Sequence, residues 1–111
     1  MSKVYAPQVP SKYDAATKLW VPSINLEPAA QFGEIVVMLP PNANRLHINP
    51  LIVALKEQMK DFNDQDYIIA VGDPSLIAAA ACIAVRKTNG LLRILKWDRQ
   101  TSSYIAVETQ L

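Results

Sequence analysis

Residues 66–87 decide the fold, and they read Asp66-Tyr67-Ile68-Ile69-Ala70-Val71-Gly72-Asp73-Pro74-Ser75-Leu76-Ile77-Ala78-Ala79-Ala80-Ala81-Cys82-Ile83-Ala84-Val85-Arg86-Lys87. Residues 67–71 form a short apolar run typical of a strand, and Gly72 ends it. Asp73 can cap the helix that follows, and Pro74 suits its first position. Because residues 76–85 include no polar residue, we expect this helix to be buried on more than one side. A buried strand that turns into a buried helix indicates the centre of an α/β domain.

The neighbouring segments complete this domain. We predict strands at residues 34–39, 67–71, 91–97 and 104–109, and helices at residues 50–62 and 74–87. Strand 34–39 is apolar at consecutive positions, as in a central strand covered on both faces. The strand-helix-strand rhythm predicts that strands 34–39 and 67–71 are parallel, with a right-handed connection. The predicted fold is therefore a small two-layer or three-layer α/β domain, whose mixed sheet is parallel in the centre and ends in an antiparallel C-terminal hairpin.

The N-terminal quarter has a different composition. Seven of the eight prolines lie in the first 50 residues. Residues 4–10 and 19–26 look extended, with a polar connection between them. Because proline cannot donate a hydrogen bond to a sheet, we expect these pieces to be edge strands or an arm. The chain then divides into a proline-rich arm or edge hairpin at residues 1–26 and an α/β core domain at residues 27–111.

Composition limits the classes of function. Half of the 111 residues are hydrophobic and 19% are charged, which is typical of a globular domain. The net charge of +1 gives no bulk field that would attract nucleic acid or a membrane. The single cysteine, Cys82, falls inside the apolar helix, so we expect it in the core of a protein from a reducing compartment. The opening residues lack the apolar core of a signal peptide and residues 76–85 are too short to span a bilayer, so we expect a cytoplasmic protein.

One candidate ligand site follows from the predicted parallel strands. Ligands of open parallel sheets collect at the carboxyl ends of the strands, where helices begin. The polar residues expected at this edge are Asn42, Asn44, Arg45, His47, Asp73 and Ser75. They could hold a phosphate or a carboxylate, but the same residue types are also common in any loop that enters a helix. Both interpretations stay open here.

A second candidate site is the basic segment at residues 86–99. Within this segment we predict that nucleic acid is bound by Arg93, Lys96, Trp97 and Arg99. An aromatic ring among cations on a hairpin can stack on single-stranded nucleic acid. Strand alternation places Arg93 and Trp97 on one face and Lys96 on the other. Trp97 at a strand end is equally consistent with a lid over the core.

The sequence contains no pattern that indicates catalysis. A nucleophile elbow is missing, and His47 has no second histidine or cysteine with which to bind a metal. We therefore expect no catalytic residue, no metal and no cofactor.

The helix at residues 74–87 also suggests an interaction. An apolar helix needs cover on its outer side, and in a small chain this comes from the N-terminal arm or from a second copy. We expect a homodimer through this helix.

Three stretches resemble a family of small proteins from tailed bacteriophages. Within that family, the resemblance is strongest to proteins of marine podoviruses related to the T7-like group. They are Phe32-Gly33-Glu34-Ile35-Val36-Val37-Met38-Leu39-Pro40-Pro41, residues 66–84 and Leu95-Lys96-Trp97-Asp98-Arg99. The shared motifs are structural, so the resemblance carries over no functional residue. It implies the cytoplasm of an infected bacterium and a role in binding host or phage macromolecules.

Taken with the composition, this predicts a non-enzymatic phage accessory protein that binds a macromolecule, above all a host protein. The alternatives are a small-ligand or nucleotide-binding domain that uses the loops after strands 34–39 and 67–71, and single-stranded nucleic-acid binding by the basic segment.

Overall fold

The computed structural model describes residues 2–44 and 46–111. The elements within these ranges, in chain order, are β1 (Lys3–Gln8), β2 (Ser11–Asp14), β3 (Leu19–Pro22), a 3₁₀ helix (Glu27–Phe32), β4 (Glu34–Leu39), α1 (Ile48–Gln58), β5 (Tyr67–Ile69), α2 (Pro74–Lys87), β6 (Leu91–Asp98) and β7 (Ser103–Gln110). None of the helices in the described part of the chain is long and apolar enough to cross a membrane.

The main sheet has the strand order β4-β1-β5-β6-β7. Strands β4, β1, β5 and β6 are parallel, and β7 is antiparallel to β6. This confirms the predicted mixed sheet with a parallel centre and an antiparallel C-terminal hairpin. One face of the sheet packs on α1 and α2 around Leu55, Ile68 and Leu76. The other face packs around Ile69 and Leu95 beneath the segment that contains the 3₁₀ helix, so the domain has three layers.

Strand β1 lies in the interior of this sheet, which corrects the expectation that residues 4–10 form an edge strand or an arm. The edge position belongs to β4, which was expected to be a central strand. Strand β1 pairs with β4 on one side and with β5 on the other. Val4 and Ala6 are completely buried. Strands β4 and β5 run in the same direction, as predicted, but they do not pair with each other because β1 lies between them.

The position of Pro7 explains why the proline rule failed here. The Lys3 backbone N–H points toward β5, because it donates to Asp66 Oδ1 (2.8 Å) at the residue before that strand. Strand alternation makes the Pro7 nitrogen face the same way. The pairing of β1 with β5 ends at Tyr5 and Ile68, and the Ile69 carbonyl instead accepts the Val71 N–H at 2.9 Å. The missing N–H of Pro7 therefore costs the sheet no hydrogen bond.

The polar connection predicted at residues 11–18 also differs from the structure. Its first half is strand β2, which pairs antiparallel with β3 in a separate two-stranded hairpin. Strand β3 takes up only the first half of the extended piece predicted at residues 19–26. The sequence showed two extended pieces but gave no local signal for the pairing between β2 and β3.

The two main helices begin at different kinds of residue. Helix α2 starts as predicted, with Asp73 as the capping residue and Pro74 at the first position. Helix α1 starts at Ile48, two residues before the predicted start, and ends at Gln58, with turns continuing toward the buried Phe62.

Helix α2 is buried on one side only. Its core side carries Leu76, Ala80, Ile83 and Ala84. Ala78 is exposed on the opposite side, and so is Cys82, which corrects its predicted place in the core. The N-terminal segment therefore leaves this side of α2 uncovered, and cover by a second copy stays a prediction.

Gly72 gives a test of the contact between β1 and the loop that follows β5. Its φ of +99° favours glycine, and an added Cβ would lie 2.5 Å from the Gln8 carbonyl oxygen. We expect Gly72→Ala to lower the free energy of unfolding by about 1–3 kcal/mol in urea denaturation. Thr17→Ala, in an exposed turn, should stay within about 0.5 kcal/mol of wild type. A wild-type unfolding midpoint for Gly72→Ala would contradict the close approach of these two segments.

Substitutions on the two sides of α2 test the predicted homodimer. We expect the wild-type protein to sediment as a dimer. Ala78→Glu should sediment as a folded monomer, because the new charge would be buried without a partner at the dimer interface. Ala80→Glu should unfold the domain, since Ala80 is completely buried. Val53→Glu is the control, because it adds the same charge on the exposed side of α1. A wild-type monomer at micromolar concentration would refute the dimer.

Candidate functional site

The carboxyl ends of the parallel strands form one edge of the sheet, where ligands of such folds bind. Strand β1 lies at the point where the strand order reverses, because the chain leads from β1 to β4 on one side and from β5 to β6 on the other. Two features occupy this edge. One is the β2–β3 hairpin, which follows β1 in the chain, and the other is an apolar cleft near the ends of β5 and β6.

The hairpin presents large apolar side chains to solvent. Tyr13 and Trp20 lie directly opposite each other in its register. Their rings make an edge-to-face contact with centroids 5.6 Å apart, yet 53% of Tyr13 and 42% of Trp20 is exposed. Leu19 and Val21 are also exposed, on the opposite face of the hairpin. We call these four residues the hairpin surface.

Local hydrogen bonds fix the shape of the hairpin. Asp14 Oδ1 accepts the Ala16 N–H at 3.0 Å where the turn begins, and Lys18 closes the turn with a φ of +58°. At the base, the Ser23 N–H donates to the Pro10 carbonyl at 2.7 Å. The hairpin surface is therefore held in one shape before any partner arrives.

The cleft has a volume of about 380 Å³ and is lined by Ile24, Asn25, Pro28, Val71, Trp97 and Tyr104. We call it the Trp97 cleft. The rings of Trp97 and Tyr104 meet at 71° with centroids 5.0 Å apart. Trp97 is 46% exposed, whereas Tyr104 is almost completely buried. Burial raises the pKa of the Tyr104 hydroxyl above its ordinary value, so this group stays protonated at neutral pH.

The turn between β6 and β7 positions these two rings. Trp97 pairs with Tyr104, and Asp98 pairs with Ser103. The Asp98 carboxylate accepts the Thr101 hydroxyl at 2.7 Å and the Gln100 N–H at 3.2 Å. These hydrogen bonds, above all the one from Thr101, hold the pKa of Asp98 below its ordinary value. Trp97 therefore stands beside a turn that is fixed by its own side chains.

The residues predicted to bind a small ligand lie in the loops that lead into α1 and α2. Asn44 Oδ1 accepts the Leu46 N–H at 3.1 Å. The Asp73 carboxylate accepts both the N–H (3.0 Å) and the hydroxyl of Ser75. Asn42 and His47 are exposed, and Arg45 lies outside the described residues. Turn and cap formation account for Asn44, Asp73 and Ser75, and ligand binding by this set stays a prediction.

The four residues predicted to bind nucleic acid have different environments in the structure. Arg93 lies over the Tyr67 ring, with Cζ 4.1 Å from the centroid, and donates to the Tyr67 hydroxyl and to the Asp64 carbonyl. Lys96 and Arg99 are exposed. Trp97 lines the cleft. Arg93 is thus engaged within the fold, and nucleic-acid binding by the set stays a prediction.

Sequence reasoning missed most of the residues that build this edge. Tyr13 and Trp20 were placed in an arm, and the cleft residues Ile24, Asn25 and Pro28 gave no signal. Tyr104 could have been found, because the predicted connection at residues 98–103 already places it opposite Trp97.

Comparison with known proteins supplies the family. Residues 2–111 match the family model described as Phage Pam3 gp32-like protein. Among curated proteins and among solved structures nothing matches. The match confirms the resemblance to phage proteins that the sequence suggested. The chain belongs to the Phage Pam3 gp32-like protein family.

Proposed function

We propose that this phage protein is a non-enzymatic accessory protein that acts by binding a protein partner, above all a host protein, in the bacterial cytoplasm. The observation that carries the proposal is the hairpin surface. Strands β2 and β3 have eight residues together, and four of these are large, apolar and exposed. Two of the four are aromatic. Tyr13 and Trp20 share one face of the hairpin and Leu19 and Val21 share the other, so both faces expose apolar side chains. Exposed apolar surface of this kind on a small domain is typical of protein interaction sites.

The residue types support a protein partner in particular. Tryptophan and tyrosine are enriched among the residues that dominate protein interfaces, where their truncation costs about 2 kcal/mol or more. Lys12 and Asp14 lie opposite Val21 and Leu19 in the register and would supply polar contacts on that face. Because the hairpin is fixed by its base and its ring pair, binding loses little conformational entropy.

Affinity capture from host lysate tests the proposal. Immobilised wild-type protein is compared with Trp20→Ser and Leu19→Ser, and captured proteins are quantified by mass spectrometry. We expect one protein to be captured by the wild type and reduced at least about tenfold by each variant, which corresponds to about 1.4 kcal/mol. Affinities measured with that purified partner should rank the variants in the same order.

Val53→Ser is the matched control for Leu19→Ser. Val53 is 68% exposed on α1 and Leu19 is 63% exposed on the hairpin, so both changes remove similar apolar surface from different faces. Val53→Ser should retain the partner, and circular dichroism should show that all variants are folded. Equal capture by Trp20→Ser, Leu19→Ser and wild type would refute binding through the hairpin surface.

A further inference from the structure

A groove lies between the C-terminal ends of α1 and α2. It has a volume of about 300 Å³ and is lined by Lys56, Lys60, Ile83, Arg86 and Lys87. Both helices lead from the carboxyl end of one parallel strand to the start of another, so their C-terminal ends lie at the amino-terminal edge of the sheet. The groove, which we call the basic groove, is therefore on the edge opposite the hairpin surface and the Trp97 cleft.

Residue spacing brings the four cations of the groove together. Lys56 and Lys60 are four positions apart, on α1 and the turn after it. On α2, Ile83 precedes Arg86 and Lys87 by three and four positions. Residues at these spacings share one side of a helix. Lys87 Nζ also donates to the Lys60 carbonyl at 3.0 Å, so the two walls of the groove are tied to each other.

The positive charges of the basic groove are mostly unbalanced. Within the described ranges, only Lys60 among its cations has an ion pair, with Nζ 3.4 Å from Glu57 Oε1. Lys56 and Arg86 make no hydrogen bond or ion pair with any residue that the structure describes. The helix dipoles favour cations at C-terminal ends, but like charges four positions apart on a helix repel each other. A bound anion would relieve this repulsion.

The interior of the groove is aliphatic. Ile83 lines it and is almost completely buried. Lysine and arginine side chains contribute methylene groups to such a surface while their charged ends stay in water. No lining residue is aromatic. The basic groove thus combines an apolar interior with a positively charged rim.

We propose that the basic groove binds an acidic segment of a second protein, with an apolar side chain inside the groove and carboxylates beside the cations of its rim. Complementary charges fix the position of such a segment, and the aliphatic interior accepts the side chain between its carboxylates. Single-stranded nucleic acid fits less well, because it binds by stacking on aromatic rings. The inference goes beyond the proposed function, since it assigns a separate site at the other edge of the sheet.

Fluorescence anisotropy with a defined peptide tests the proposal. The probe is a short, capped, fluorescein-labelled peptide built from glutamate and leucine. We expect saturable binding at low salt that weakens as salt rises, because the charges of the rim are exposed to screening. Lys56→Glu and Arg86→Glu should each weaken binding roughly tenfold, since each places a negative charge beside the carboxylates. Lys18→Glu is the matched control, because it changes the net charge equally in an exposed turn of the hairpin, and it should bind as the wild type does.

Two altered peptides separate the contribution of charge from that of apolar contact. Glutamine in place of every glutamate should abolish binding, and serine in place of every leucine should weaken it. Circular dichroism should show that all protein variants are folded. An unchanged affinity after either replacement overturns the proposal, and so does equal binding by wild type, Lys56→Glu and Arg86→Glu or no binding by the wild type at low salt.

Other occupants of the groove give different results. Tighter binding of oligothymidine than of the peptide overturns the proposal in favour of nucleic acid. Displacement of the peptide by inorganic phosphate at constant ionic strength overturns it in favour of a small anion. If Lys56→Glu sediments as a monomer where the wild type and Lys18→Glu sediment as dimers, the occupant is a second copy instead. Trp20→Ser should bind the peptide as the wild type does, so failure at the basic groove leaves the proposed function to its own test.

Discussion

The pairing of β1 on both of its edges is the constraint on which the rest of the structure depends. A strand whose N–H and C=O groups are buried must find partners for them on either side. For β1 these are β4 and β5, which lie far apart in the chain. Helix α1 therefore has to cross over β1 to join them, and the Asp66 carboxylate ties the start of β1 to the loop before β5.

The same constraint determines where the candidate site forms. Because β1 lies between β4 and β5, its carboxyl end at Gln8 lies where the strand order reverses. Gln8 is buried there and donates from Nε2 to the Pro40 carbonyl at 2.8 Å, which joins the ends of β1 and β4. After β1 the chain forms the β2–β3 hairpin at this edge and then passes the Trp97 cleft at Ile24 and Asn25. Both exposed aromatic features thus follow from the placement of one strand.

Local signals predicted the second half of the chain well. Asp73 and Pro74 mark the start of α2, and the hairpin of β6 and β7 follows from two apolar runs joined by a short polar turn. These features depend on residues close in sequence. The placement of β1 inside the sheet does not depend on local residues alone. Whether Pro7 costs a hydrogen bond depends on which neighbouring strand its nitrogen faces, and that strand, β5, lies sixty residues later in the chain.

The surroundings of a side chain could be predicted only where the alternation of side chains along a strand determines them. The strand pattern placed Arg93 and Trp97 on one face, but the contact of Arg93 with Tyr67 depends on the pairing of β5 with β6. An almost wholly apolar helix such as α2 carries no periodic signal, so the exposure of Cys82 could not be inferred. The cleft combines three segments that are distant in sequence, and only Trp97 was singled out beforehand.

Amide hydrogen exchange of β1 tests the central claim most directly. If β1 is paired on both edges, the amides of Val4, Tyr5 and Ala6 open only with the core of the domain. They should then be among the slowest in the chain and far slower than the Tyr13 amide in the hairpin. Exchange of Val4 and Ala6 as fast as Tyr13 would show that β1 is a peripheral arm and would contradict the account.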